Sequence, residues 1–331
     1  MQGEDFHQKA AADPSIGTGS AAHAFLLVRP RLPDSRRGIC AASPGATRFA
    51  PSRTTTLLAV NVQCTIGSVV AGAGRPLVVI GGPCVLESSA VNTQIGVALR
   101  DTCAGLGLGF VFKASFDKAN RSSIHSPRGP GLDAGLAELA RLRDELGVPI
   151  TTDVHEPRQA TPVAEVVDLL QVPAFLCRQT DLLLACAETG KPVNVKKGQF
   201  MSAAEMTHVA GKLREGGCAQ IMLTERGTFF GYNRLVNDFI GLGDLMELGY
   251  PVCFDVTHST QLPGAGDGHS GGRPERAPLL ARAAVAAGVH AVFMECHPQP
   301  SAAFSDATTC QPLDRMGPLL QSLAAIHVVL A

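Results

Sequence analysis

Tryptophan is absent from this chain of 331 residues, aromatic side chains make up only 5% of it, and charged ones only 17%. With 45% hydrophobic residues, 35 glycines and 22 prolines, the remainder has the composition of a globular enzyme, which excludes a fibre or a disordered chain. An excess of charge of either sign is missing as well. The 28 Lys+Arg and 29 Asp+Glu leave a formal charge of -1, so nothing draws the whole molecule to polyphosphate and nucleic acid would need a local patch. A small-molecule partner is expected instead. No run reaches the ~18 apolar residues of a membrane span. The ten cysteines stand singly, with no CxxC pair, which leaves neither a disulfide framework nor a compact zinc motif. No GxGxxG separates the first apolar run from its helix, so a dinucleotide fold has no support.

Two parts of the chain differ in texture. Residues 1–60 are rich in Ala, Ser, Arg and Pro and show no sustained hydrophobic period; between Pro14 and Gly74 the one acid is Asp34. Two readings stand open for this leader: an organelle transit peptide, or a disordered extension or misassigned start. A cytoplasmic protein is expected, or a plastid one if the leader is a transit peptide. Residues 61–331 carry the fold. Eight short apolar runs follow one another: PLVVIGGPC, GFVFKASF, VPITTDV, LLQVPAF, PVNVKKG, QIMLTERG, PVCFDVTHS and AVFMECHP. Several are apolar without alternation, as strands covered on both faces are. Between them lie amphipathic stretches such as LDAGLAELARLRDELG, which places Leu132, Leu136, Leu139 and Leu142 on one face and stops at Gly147. Strand and helix alternating eight times over ~250 residues predict an α/β fold, the (β/α)8 TIM barrel, with a doubly wound sheet as competitor.

In such a barrel the reacting groups stand at the C-terminal ends of the strands. The polar residues obey that rule: Cys84 and Glu87 follow the first run, Lys113 the second, Asp153 and His155 the third. Gln171 belongs to the fourth, Lys196 and Lys197 to the fifth, Glu225 and Arg226 to the sixth, Asp255 and His258 to the seventh, Glu295 and His297 to the eighth. Lys113, Lys118, Arg121, Arg178, Lys196 and Arg226 form a cationic set suited to phosphate and carboxylate. The competing reading is that they pair with Asp153, Glu225 or Asp255 and tie the loops together. Cys84, His258, Glu295 and Asp306 offer a thiolate, an imidazole and two carboxylates, a set suited to Fe2+, Zn2+, Mn2+ or Co2+ rather than Ca2+ or Mg2+. Taken singly, Cys84 reads as a core thiol and His258 as a capping histidine.

The strings GGPCVLES, FKASFDKANRSSIHSPRGPG, TTDVHEP, QVPAFLCRQTDLLLA, NVKKGQF, LTERGTFFGY, DVTHSTQLPG, SGGRPE and FMECHPQPSAAFSDATT resemble, in order, those of the 3-deoxy-D-manno-octulosonate 8-phosphate synthases. The resemblance runs from about Pro76 to Pro312. The NRSS loop, Asn120 to Ser123, separates that family from the sister 3-deoxy-arabino-heptulosonate 7-phosphate synthases. The resemblance implies a transferase that condenses phosphoenolpyruvate with D-arabinose 5-phosphate and water, with Lys113, Lys118, His258 and Asp306 as catalytic residues. It also implies that Lys113, Lys118, Lys196 and Arg226, with Gln171 and Arg178 nearby, hold phosphoenolpyruvate. Asn120, Arg121 and Ser122 match the residues that take the aldose phosphate, the last two across a subunit interface of a homotetramer. Cys at position 84, where metal-independent members have Asn, implies the metal-dependent branch, with His258, Glu295 and Asp306 as the other ligands. Cys296 departs from the pattern and implies an oxidisable thiol near the metal. The competing functions are condensation with another aldose, and an inactive barrel serving as a binding protein.

Overall fold

A computed structural model describes residues 63–121, 123–265 and 270–330. The leader 1–60 and Ser122 therefore lie outside the described residues. Eight parallel strands form one closed sheet: β1 (Val78–Gly82), β2 (Gly109–Lys113), β3 (Ile150–Asp153), β4 (Leu169–Val172), β5 (Val193–Lys196), β6 (Ile221–Glu225), β7 (Val252–Asp255) and β8 (Ala291–His297). Each pairs with its successor, and β8 closes on β1 through Ala291↔Val78 to Glu295↔Gly82. The helices that follow them are α1 (Ser89–Gly105), α2 (Leu132–Leu146), α3 (Ala160–Val166), α4 (Thr180–Glu188), α5 (Met206–Glu215), α6 (Phe239–Glu247), α7 (Ala277–Ala286) and α8 (Leu313–Leu330). The chain is a (β/α)8 barrel, and no helix among the described residues is long and apolar enough to cross a membrane.

Period-two alternation splits each strand between two cores. Side chains facing outward, such as Val79, Phe112, Leu170, Val195, Leu223, Phe254 and Met294, pack under the helices. α2 contributes Leu139, Leu142 and Leu146 to that layer, with Leu132 and Leu136 partly buried, and ends at Gly147 in the left-handed conformation (φ 64°), as its sequence predicts. A fully buried leucine of this kind contributes about 1.5–3 kcal/mol through removal of apolar surface from water.

Side chains facing inward are apolar only in the lower half: Val78, Ile80, Val111, Leu169, Met222, Cys253, Ala291 and Phe293. That lower core is closed from beneath by an antiparallel hairpin, Cys64–Ile66 paired with Val69–Ala71, whose Cys64, Ile66 and Ala71 are fully buried. The hairpin precedes the first apolar run recognised in the sequence. Three residues per strand are too few to show a period, which is why it escapes detection. One glycine is demanded by close approach: a Cβ on Gly82 would stand 2.1 Å from the Lys113 carbonyl oxygen, so β1 and β2 can meet beneath the site only without a side chain there.

Candidate active site

Above the apolar half, the inward positions turn polar: Lys113, Asp153, Gln171, Asn194, Lys196, Thr224, Asp255 and Glu295, all buried. Strand geometry accounts for this ring: Lys113, Gln171, Thr224, Asp255 and Glu295 each lie two positions beyond an apolar inward residue, and Asp153 and Lys196 lie two beyond the inward Thr151 and Asn194. Phe293 forms its floor. Lys196 Nζ sits 3.4 Å and Lys113 Nζ 5.2 Å from the centre of the Phe293 ring, whose π face attracts both cations without competing as a hydrogen-bond acceptor.

The cations are ion-paired. Lys196 Nζ lies 2.5 Å from Asp255 Oδ2; Lys113 Nζ lies 2.9 Å from Glu295 Oε1 and 3.7 Å from Asp153 Oδ2, and donates to the Cys84 carbonyl at 2.9 Å. Burial acts to raise the Asp153 and Asp255 pKa values, yet the surrounding lysines, and His258 at Asp255, override it and hold both well below the usual carboxylate range. Lys118 is opposite in sign: burial would lower its pKa, but the carboxylates of Glu295, Asp153 and Asp306 raise it well above the ordinary value, so it remains an ammonium. The cationic and ion-pair readings of the sequence thus describe one arrangement. Lys197 is separate: it points away from the ring, donates to the Met201 carbonyl (3.0 Å) and lies 3.5 Å from Glu225, a structural role.

A chain of hydrogen bonds runs round the ring from Ser115 through Asp153 and Gln171 (Nε2 to Oδ1, 2.6 Å) to Asn194 (3.2 Å) and Thr224 (2.7 Å). Gln171 thus stands directly behind Asp153 of the deep compartment. Its carboxamide is used at both ends within the protein and does not reach the cavity wall; it positions Asp153. Arg178 is exposed on the turn before α4, with its carbonyl bound by Lys212, and does not line the cavity of its own chain.

Lys113, Lys118, Asn120, Arg121, Lys196, Arg226, His258 and Asp306 line a cavity with two compartments. The deep one, about 80 Å3, is bounded by Lys113, Asp153, His155 and Lys196. The outer chamber, about 500 Å3, is bounded by Arg121, Gln261, Phe304 and Asp306. Lys118, Asn120, Phe175, Gln199, Arg226 and His258 border both. Arg226 is buried, donates to Gln261 Oε1 (2.8 Å), and leaves Nη1 without a partner among the described residues. Arg121 enters the chamber of its own chain, donating to Ser305 Oγ (2.7 Å) and the Phe304 carbonyl (2.8 Å).

Beside the cavity, ligand atoms of Cys84, Glu295 and Asp306 lie within 4.8 Å of one another. The Cys84 thiol donates to Asp306 Oδ2 at 2.9 Å. His258, which the sequence places with them, is not within that distance of all three but stands to one side: Asp255 takes Nδ1 (2.8 Å) and turns Nε2 to within 4.0 Å of Glu295 Oε2. Glu295 Oε2 is buried and has no hydrogen-bond partner among the described residues, a costly state for a carboxylate oxygen and one a cation relieves. Burial, then Asp306 and Glu295, push the Cys84 thiol well above its ordinary pKa, so the metal-free group is a thiol and a bound cation would displace its proton. Asp306 holds a left-handed backbone (φ 51°), secured by Thr309 and Cys310 donating to its carbonyl at 2.9 Å. The donor set fits a divalent ion.

Cys296 stands on the other face of β8 from the donor set. Alternation that points Glu295 inward points Cys296 outward into the helix-facing core, fully buried, with burial raising its thiol pKa. Sequence reasoning passed over Phe293 as the floor, Gln261 as the link between Arg226 and Asp306 (3.0 Å), and Gln199, though Gln199 and Gln261 both lie just past a strand end, where the search rule points.

The sequence model of the DAHP synthetase I family matches residues 54–324. The chain is 54% identical over 260 residues to a 2-dehydro-3-deoxyphosphooctonate aldolase of Acidithiobacillus ferrooxidans, covering 78% of this chain and 92% of the relative. The enzymes of that name from a Cyanothece species (53% over 260 residues, 78% and 95% covered) and a Geobacter species (48% over 267 residues, 81% and 98% covered) are similar. The order of motifs, the closed barrel and these identities together place the chain in the DAHP synthetase I family, among the 2-dehydro-3-deoxyphosphooctonate aldolases.

Proposed function

We propose that the protein condenses phosphoenolpyruvate with D-arabinose 5-phosphate and water to give 3-deoxy-D-manno-octulosonate 8-phosphate and inorganic phosphate. The observation that carries this reading is the two-compartment cavity, a small pocket lined by Lys113 and Lys196 that shares Arg226 with a chamber large enough for a sugar phosphate. The smaller substrate occupies the deep compartment, its carboxylate and phosphate against Lys113, Lys196 and Arg226. The aldose lies in the chamber with its phosphate towards Arg121 and Asn120; Ser122 belongs to the same loop. The names of the similar enzymes agree with this reading.

The reaction forms a bond from C3 of phosphoenolpyruvate to the aldehyde carbon. Water oxygen adds at C2, and the C2–O bond to phosphate breaks. One water proton ends on the former aldehyde oxygen and the other on phosphate. Two anions must be held together, and the buried cations offset their repulsion. Fixing the reacting carbons side by side is worth up to ~7–11 kcal/mol in favourable models, which makes positioning the main effect. Lys118 Nζ, kept as an ammonium, donates to the aldehyde oxygen as negative charge develops there. Asp306 and His258 border the chamber where water adds and hold its proton. Cys84, His258, Glu295 and Asp306 would bind Fe2+, Zn2+, Mn2+ or Co2+, which supplies polarisation of a carbonyl or of water.

In the same reading the protein is a cytoplasmic homotetramer, with residues 1–60 as a separate leader and 61–331 as the catalytic barrel; size-exclusion with light scattering tests the assembly. The function is tested by phosphate release and product formation with arabinose 5-phosphate and erythrose 4-phosphate side by side. Preference for arabinose 5-phosphate is expected. Preference for erythrose 4-phosphate would overturn the assignment, and phosphate release without any aldose would refute a condensing site.

A further inference from the structure

We infer that Gln199 is the specificity-determining residue that accepts the hydroxyl on the aldose carbon next to the carbonyl. This deepens the proposed reaction and rests on it. Gln199 lies in the loop after β5, 4% exposed, with its carbonyl held by Phe229 N–H at 3.1 Å, so its place is set by the backbone. It borders both compartments, at the junction where the proposed reaction would bring the reacting carbons of the two substrates together. Its Oε1 is buried and meets no donor among the described residues.

A cavity that binds phosphates with ammonium and guanidinium groups is rich in donors and poor in acceptors, whereas an aldose brings hydroxyls that donate. The buried carboxylates are taken. Asp153 accepts Gln171 and Ser115, and Asp306 accepts Gln261, Cys84 and Ser305. Glu295 Oε2 belongs to the metal-binding cluster, and the unpartnered His155 Nδ1 borders only the deep compartment. That leaves Gln199 Oε1 as the uncommitted buried acceptor at the junction. A buried acceptor left empty is costly, and a site built around one rejects a ligand that lacks the matching hydroxyl.

The test compares D-arabinose 5-phosphate with 2-deoxy-D-ribose 5-phosphate, which lacks only that hydroxyl. The readout is kcat/KM for phosphate release from phosphoenolpyruvate, with thermal unfolding to confirm the fold. The unsubstituted protein is expected to prefer arabinose 5-phosphate by roughly tenfold or more. Gln199→Leu should lower the efficiency with arabinose 5-phosphate roughly 10- to 100-fold and change that with the deoxy sugar less than about threefold, so that the preference collapses. Gln199→Glu keeps an acceptor and should keep the preference. Should Gln199→Leu not fold, Gln199→Met removes the acceptor with less change of shape, and the same ratio decides. The inference is overturned by an unsubstituted protein that makes no distinction, by a Leu or Met variant that keeps the ratio, or by a Glu variant that loses it as fully as Leu. No phosphate release from the unsubstituted protein with either sugar would instead refute the proposed reaction itself.

Discussion

Replacing Asp255 by Asn tests how the floor of the site is held together. Asp255 is fully buried and serves two partners: Lys196 Nζ at 2.5 Å, and His258 through Nδ1 at 2.8 Å and its backbone N–H at 2.9 Å. Asparagine fills the same space but removes the charge, which strands Lys196 over the Phe293 ring. Breaking one side of a buried ion pair costs about 3–5 kcal/mol. In a domain of this size each kcal/mol moves Tm by roughly 2–4 °C, so a fall of about 10 °C is expected. Asparagine also ceases to enforce one tautomer on His258, and loss of such an orienting partner lowers metal affinity about 10- to 100-fold. The effect has a definite pH sign. His258 and Lys196 hold the Asp255 pKa below its ordinary value of 3.8, so its stabilisation is complete above that value and is lost as pH falls through and below it. The gap between parent and variant should therefore narrow on acidification below about pH 4. Calorimetry across pH 3 to 7, with a chelator-competition titration of Mn2+, measures both quantities. A variant melting within about 2 °C of the parent at pH 7 with unchanged metal affinity would refute the account, because no buried pair of this kind is that weak.

Dialysis against a strong chelator should abolish most activity and lower Tm, with Mn2+, Fe2+ or Co2+ restoring both; Cys84→Asn should leave activity that the chelator does not touch, and full activity with no bound metal in the unsubstituted protein would remove Cys84 as a ligand. Gly82→Ala places a methyl carbon 2.1 Å from the Lys113 carbonyl oxygen, backbone that cannot step aside, so a loss of more than about 3 kcal/mol in urea unfolding is expected. Glu138 joins α2 to α1, accepting from Ser89 (3.0 Å), Asn92 (3.1 Å) and both arms of Arg141, which holds its pKa down at about 2 against partial burial. Glu138→Gln should cost on the order of 1 kcal/mol at pH 7. The difference should disappear between pH 4.5 and 2, where the folded carboxylate loses its advantage over the unfolded one.

The barrel was legible because its signal is local. Eight apolar runs separated by helical periods leave few topologies, and every run contains one of the eight strands. The mouth was legible for a related reason: polar residues in an apolar run stand where the strand leaves the packed interior, and Lys113, Asp153, Lys196, Asp255 and Glu295 all do. Gln171 and Arg178 show the limit. Motif position places a residue near the rim but says nothing of whether its side chain is engaged sideways by a neighbouring strand, as Gln171 is by Asp153 and Asn194, or turned outward, as Arg178 is.

The order of residues along the chain was enough for the architecture, the family and the kinds of group that gather at one end, since these depend on period, spacing and chemical type. Which acid partners which lysine, that Asp255 turns His258 towards Glu295, that Cys296 faces the helices, and that a hairpin before the first strand seals the base were decided only when the sheet closed. Those contacts join positions as distant as Lys113 and Glu295, and a pairing across that span is set by strand register and burial, which no local pattern encodes.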